Sequence, residues 1–182
     1  MTNEENIKAL EKKITMLERK NSTLEQKITT LEQKITTLEQ KIKTLQLSYA
    51  GVLADSTARY GAEGILDKIT GQKRAEQMKN CADLAARFGV TGPKQAFEKP
   101  MEIFGCANWG FTDTGSGFEA VATNCILCAI SKKMGAFSPC QIYCLSPIEA
   151  SIKGVCPDAE FNTISTLWNS EKCKVNVKYA DN

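Results

Sequence analysis

Apolar residues recur every seven positions from Ile7 to Leu45. Ile7, Ile14, Asn21, Ile28, Ile35 and Ile42 fill one position of the repeat, Leu10, Leu17, Leu24, Leu31, Leu38 and Leu45 the other. Six heptads in one register predict a long helix with a left-handed supercoil seam. At ~1.5 Å per residue that rod spans on the order of 60 Å. Ile at a with Leu at d favours two parallel strands, and a buried Asn at a single a position fixes register. Lys13, Lys20, Lys27 and Lys34 occupy g positions, while Glu18, Glu25, Glu32 and Glu39 occupy e positions. In a parallel pair, Lys13 of one chain faces Glu18 of the partner subunit, and the pattern repeats down the rod. An antiparallel pair sets like charges together. The expectation is a parallel homodimer through residues 7–47, with a trimer as the alternative.

The pattern changes after residue 48, so residues 1–48 are read as coiled coil and 49–182 as one globular domain. Apolar residues at helical spacing predict helices over about 49–70 and 72–88, broken near Gly71 and closed by Gly89. Val90–Pro100, with Gly92-Pro93, reads as a loop with room for a turn of helix, and Met101–Thr112 as a strand. The turn Asp113-Thr-Gly-Ser-Gly117 then leads into a second strand over Phe118–Asn124. A short helix is expected over Cys125–Met134, closed by Gly135, and another from Pro139 to about Lys153, kinked or split by Pro147. A last hairpin pairs Glu160–Leu167 with Cys173–Tyr179. There Cys173, Val175, Val177 and Tyr179 alternate with polar residues, which predicts one buried and one wet face. The fold class that follows is α+β: a small antiparallel sheet with packed helices, preceded by a long parallel coiled-coil helix.

Charge narrows the partners. The first 48 residues hold nine Lys/Arg and seven Glu, which accounts for the net charge of +2. The rest carries 14 basic and 14 acidic side chains, a balance unlike that of a nucleic-acid surface. No run approaches the roughly 20 apolar residues that span a bilayer. Residues 1–10 are polar and lack the apolar core of a signal peptide. A cytoplasmic protein is therefore expected, with neither nucleic acid nor membrane as partner.

That setting decides how eight cysteines are read. A reducing compartment disfavours four disulfides and points to metal binding, thiol chemistry or burial. The chain has no histidine, so a Cys–His or Ser–His pair is impossible. The cysteines concentrate as Cys125-x2-Cys128-x11-Cys140-x3-Cys144, with Cys106, Cys156 and Cys173 as substitutes for one of the four. Cys125 and Cys128 start a helix, whose positive end favours thiolate; Cys140 and Cys144 share a face of the next. Packed as a hairpin, the two helices can bring four sulfurs to one site. Four thiolates suit tetrahedral zinc or an iron–sulfur cluster. Cys125, Cys128, Cys140, Cys144 and, in reserve, Cys173 are the candidate metal ligands. Burial as small apolar side chains, and a reactive thiol without metal, stand as alternatives.

Elsewhere the bland readings are preferred. Asp113-Thr-Gly is a hairpin turn, Trp109 and Trp168 are core, Glu149 is a solvated helix face, and Cys81 is core.

The stretch from Cys125 through Cys140-x3-Cys144, Gly154-Val-Cys-Pro157 and Thr166-Leu-Trp-Asn-Ser-Glu-Lys-Cys173 resembles the L-2-amino-thiazoline-4-carboxylic acid hydrolase-like family. It is similar, more distantly, to vinyl-reductase-like small-molecule-binding domains. The resemblance covers about residues 50–180. It implies an α+β domain with an enclosed pocket, and ring opening of a small cyclic amide or thiazoline. The vinyl-reductase-like group implies small-ligand binding, and in some members a cysteine zinc site. The family's recurrent cysteines fall on Cys125, Cys144 and Cys173. Ser170-Glu171-Lys172 stands where the family commonly has Gly-Asp before its last cysteine.

Three functions are therefore expected in turn. The first is a redox or small-molecule-binding module holding a metal or iron–sulfur cluster, the second a hydrolase, the third a non-catalytic adaptor.

Overall fold

The computed structural model describes residues 3–179 and forms two compact units, Met1–Leu45 and Gln46–Asn182. Helix α1 (Asn3–Ala62) runs unbroken for 60 residues. In the first unit its Ile and Leu heptad side chains, from Ile7 to Leu45, are 53–68% exposed in the single chain. Threonines elsewhere on this helix (Thr15, Thr23, Thr29, Thr36) return their hydroxyls to the carbonyl four residues back, which satisfies them without a partner.

In the second unit α1 buries Ala50, Ala54 and Thr57 before the chain turns at Gly64. Gly64 has φ of +68°, a left-handed conformation that glycine adopts at little steric cost. The break was expected near Gly71, but Gly71 lies inside α2 (Leu66–Lys79) with a negative φ. A glycine inside a helix weakens it by only about 1 kcal/mol, so it need not end one. Asn80 then separates α2 from α3 (Cys81–Phe88), which ends at Gly89 as expected.

The largest departure is α4 (Pro93–Phe104), where a loop and the start of a strand were expected. Pro93 sits in the first turn, where its missing N–H is no loss. Pro100 lies in the interior, but Ala96, Phe97, Pro100 and Met101 form one buried face. Packing of that face outweighs the local penalty. Strand β1 is correspondingly short (Trp109–Asp113) and pairs antiparallel with β2 (Gly117–Ala122) across the expected turn.

Helix α5 (Ile126–Lys133) follows, then a π turn (Gln141–Leu145) that leads directly into α6 (Ser146–Val155). Pro147 explains the π turn. In a regular helix its ring would meet the Tyr143 carbonyl; the wider turn relieves this, with the Ser146 N–H donating to Gln141 O. Strands β3 (Glu160–Ser165) and β4 (Cys173–Lys178) close the chain as an antiparallel pair. The sheet order is β1-β2-β4-β3, all antiparallel.

The core lies between this sheet and the helices. β2 buries Phe118, Ala120 and Ala122; β4 buries Cys173, Val175 and Val177. From the other side α6 supplies Ile148 and Ile152 and packs against α2, α3 and α4. At Gly154 the backbone of α6 comes so close to α3 that a methyl group would overlap the Cys81 carbonyl oxygen. Gly154→Ala should therefore destabilise the domain by about 1–3 kcal/mol, read as a lower urea midpoint with an unchanged slope.

Candidate functional site

Local structure aims the cysteines inward from four places. Cys125 is the N-cap of α5, and its sulfur accepts the Cys128 N–H at 3.5 Å. Cys128 lies one turn further along. Cys140 immediately precedes the π turn, and Cys144 lies within it. Cys173 begins β4, directly across from Ala122 at the end of β2. Cys106 lies in the loop after α4, where its carbonyl accepts the Ile126 N–H at 2.7 Å and so ties that loop to the start of α5.

These six cysteines line one nearly closed cavity of about 20 Å³, walled also by Trp109, Leu127, Pro139, Leu145 and Leu167. That is room for about one water-sized particle. No Lys, Arg, Asp or Glu side chain lines it. All four residues of the Cys125–Cys144 pattern are present, together with Cys173. Cys106 is a full member, which spacing could not reveal because it enters from a separate loop.

The sulfurs are in contact. Cys128 Sγ lies 3.4 Å from Cys140 Sγ. Cys125 accepts from the Cys106 and Cys128 thiols, and then from the backbone N–H groups of Cys128 and Leu127; together these outweigh burial and hold it well below the usual thiol range. Cys106 is pushed far up by its interactions with the Cys125 and Cys144 sulfurs and then by burial. So is Cys128, through its interactions with the Cys125 and Cys140 sulfurs and then burial. Cys140 is drawn down to about 7, chiefly by the Cys128 hydrogen bond, with Ser138 and Thr166 adding to it against burial. Burial first, then the neighbouring sulfurs, pushes Cys173 up to about 12. The cluster thus favours negative charge on Cys125 and, less strongly, on Cys140, inside an apolar enclosure. Such charge calls for a cation or for neutralisation.

The donor set suits a soft metal. Thiolates around tetrahedral zinc, at ~2.3 Å from the metal, stand about 3.8 Å apart. The Cys128–Cys140 separation is slightly shorter. An iron–sulfur cluster interposes several atoms and needs wider spacing than this cavity has. Among the described residues, no three potential ligands are arranged to hold an ion as they stand. Binding therefore requires the sulfurs to shift around it.

The indole of Trp109 lines the cavity, and its Nε1 is buried with no hydrogen-bond partner. Its ring also meets Phe97 edge-on, so it is core and lining at once. Cys156 packs against the main core and Cys81 lies on α3; neither lines the cavity. Glu149, expected on a solvated face, is 14% exposed and clamped by Arg74 through contacts of 2.8–3.1 Å. It is engaged as an ion pair away from the sulfurs. A second cavity of about 30 Å³, lined by Tyr49, Leu53, Phe104 and Tyr143, shares Cys106 and Leu127 with the first.

No helix among the described residues is long and apolar enough to cross a membrane. Compared with protein-family models, curated proteins and solved structures, the chain matches none.

Proposed function

We propose that this chain is a homodimeric thiolate module that binds one thiophilic metal ion, zinc foremost, through Cys125, Cys128, Cys140 and Cys144. One observation carries this reading: six cysteines surround a small apolar cavity that has room for a single particle and no Lys, Arg, Asp or Glu in its wall. A divalent ion supplies the positive charge that the buried thiolates lack. Four thiolates complete a zinc coordination sphere, so the site is structural or sensory, with no position left for a substrate. Cys106 and Cys173 line the same cavity and stand beside the four as replacements.

The cavity size favours a single ion over the iron–sulfur cluster considered from sequence. It also weakens the hydrolase reading, since it leaves no room for a cyclic amide or thiazoline and its lining offers no carboxylate, lysine or tyrosine as a base. The homodimer rests on the open Ile/Leu stripe and the charge pairing of the heptads. The resemblance to the hydrolase-like family rests on the residues quoted for it alone.

Protein purified under reducing, oxygen-free conditions should contain about one zinc per chain and have no visible absorption band. Cys128→Ser should lower the metal content severalfold. Purified protein without stoichiometric metal, which also fails to take up added zinc, would overturn the reading. Iron with inorganic sulfide would replace the single ion by a cluster.

A further inference from the structure

We propose that Cys128 and Cys140 are a peroxide-oxidisable pair that closes to a reversible disulfide inside the cavity. The two sulfurs are already 3.4 Å apart, in the closest sulfur–sulfur approach among the described hydrogen bonds. A disulfide of ~2.05 Å requires them to approach by about 1.4 Å, within reach of small side-chain rotations. Their backbones belong to separate elements, α5 and the residue before the π turn, so neither sulfur is held away by a short connecting loop.

The reaction needs a two-electron oxidant, and the enclosure selects its class. A cavity of about 20 Å³ favours the smallest peroxide, hydrogen peroxide, over bulky organic hydroperoxides. Cys140 thiolate attacks one peroxide oxygen; the S–O bond forms, the O–O bond breaks, and hydroxide leaves and takes a proton as water. The Cys128 sulfur then attacks Cys140, the S–S bond forms and the S–O bond breaks. The departing hydroxide takes the Cys128 proton as a second water. Two thiols have lost two electrons and two protons, and the peroxide has gained them. Cys140 is assigned the attacking role and Cys128 the resolving role, and trapping in Cys128→Ser tests that order.

The pair does not depend on metal being bound, although the disulfide would remove two of the four proposed ligands. The test therefore uses reduced, metal-stripped full-length protein exposed to a small molar excess of hydrogen peroxide. Intact mass should fall by two hydrogens per chain, and tandem mass spectrometry should link Cys128 to Cys140. Dithiothreitol should restore the starting mass. In Cys128→Ser, a sulfenic acid on Cys140 should be trapped by dimedone, and cumene hydroperoxide should react at least tenfold more slowly with the native chain. An unchanged mass, or a link between any other pair, overturns the proposal. Metal content, measured separately, tests the ion site on its own.

Discussion

Phe97→Ala should remove about 3–5 kcal/mol of stability from the domain, the range for emptying a large aromatic site in a core. Phe97 is fully buried on α4. Its ring meets Trp109 at 5.0 Å, Phe111 at 5.3 Å and Phe118 at 5.8 Å, all near-perpendicular, and Phe161 at 6.5 Å. One side chain thus joins the helical layer to β1, β2 and β3, and edge-to-face aromatic pairs add to plain burial. Chemical denaturation should show the loss as a lower midpoint. Ile103→Ala on the same helix, 59% exposed, should change stability by no more than about 0.5 kcal/mol. Equal effects at the two positions would mean that α4 does not pack as described. Because Trp109 also walls the thiol cavity, Phe97→Ala should expose the cysteines to alkylating reagents before the domain unfolds.

The second large effect lies in the rod. Leu24→Lys combined with Leu31→Lys should convert the protein from dimer to monomer in sedimentation equilibrium, halving the observed mass to the chain's 20.0 kDa. Each leucine is more than half exposed in the single chain, at 55% and 57%. Covering a leucine fully contributes roughly 1.5–3 kcal/mol, and the double change removes four from a dimer. The added charge also sets Lys against Lys across the seam. A native chain that sediments as a monomer at micromolar concentration would end the dimer reading. A threefold mass would leave the seam intact and change only the strand count.

The parts of this fold that were legible in the sequence are those governed by local periodicity. The heptads mark α1 without ambiguity, and the strict alternation of Cys173, Val175 and Val177 marks β4 and its buried face. The turn at 113–117 and the helix ends at Gly89 and Gly135 follow from backbone preferences of single residues. The reading failed where packing overrode such preferences. Gly71 looked like a stop and is not one, while Pro93 and Pro100 looked like loop residues and belong to a helix. The helix over Pro93 and Pro100 is not visible without the partners of Phe97.

The site was half legible. The spacing of Cys125, Cys128, Cys140 and Cys144 brought four members forward, since both pairs sit on adjoining helical segments. Cys106 and Cys173 depend on long-range geometry. Cys173 arrives because β2 pairs with β4 and sets it across from Ala122, a partnership no local pattern encodes. Cys106 arrives because its carbonyl is held by the first turn of α5. The inverted expectation for Glu149 has a similar cause, since Arg74 comes from α2, 75 residues earlier in the chain.

The π turn ahead of α6 makes the helix a phase shifter. α6 must turn Ile148 and Ile152 into the core, while Cys140 and Cys144 must turn toward the cavity. Each residue of an α-helix advances the face by about 100°, so a regular helix through 140–152 would place these two sets at a different relative angle. The one-residue surplus of the π turn resets that angle, and Pro147 keeps the surplus from migrating along the helix. The segment therefore tolerates exchange of side chains better than a change in length. A single residue lost between Gln141 and Cys144 would keep Cys144 in register with Ile148 and Ile152 and swing Cys140 away from the cavity.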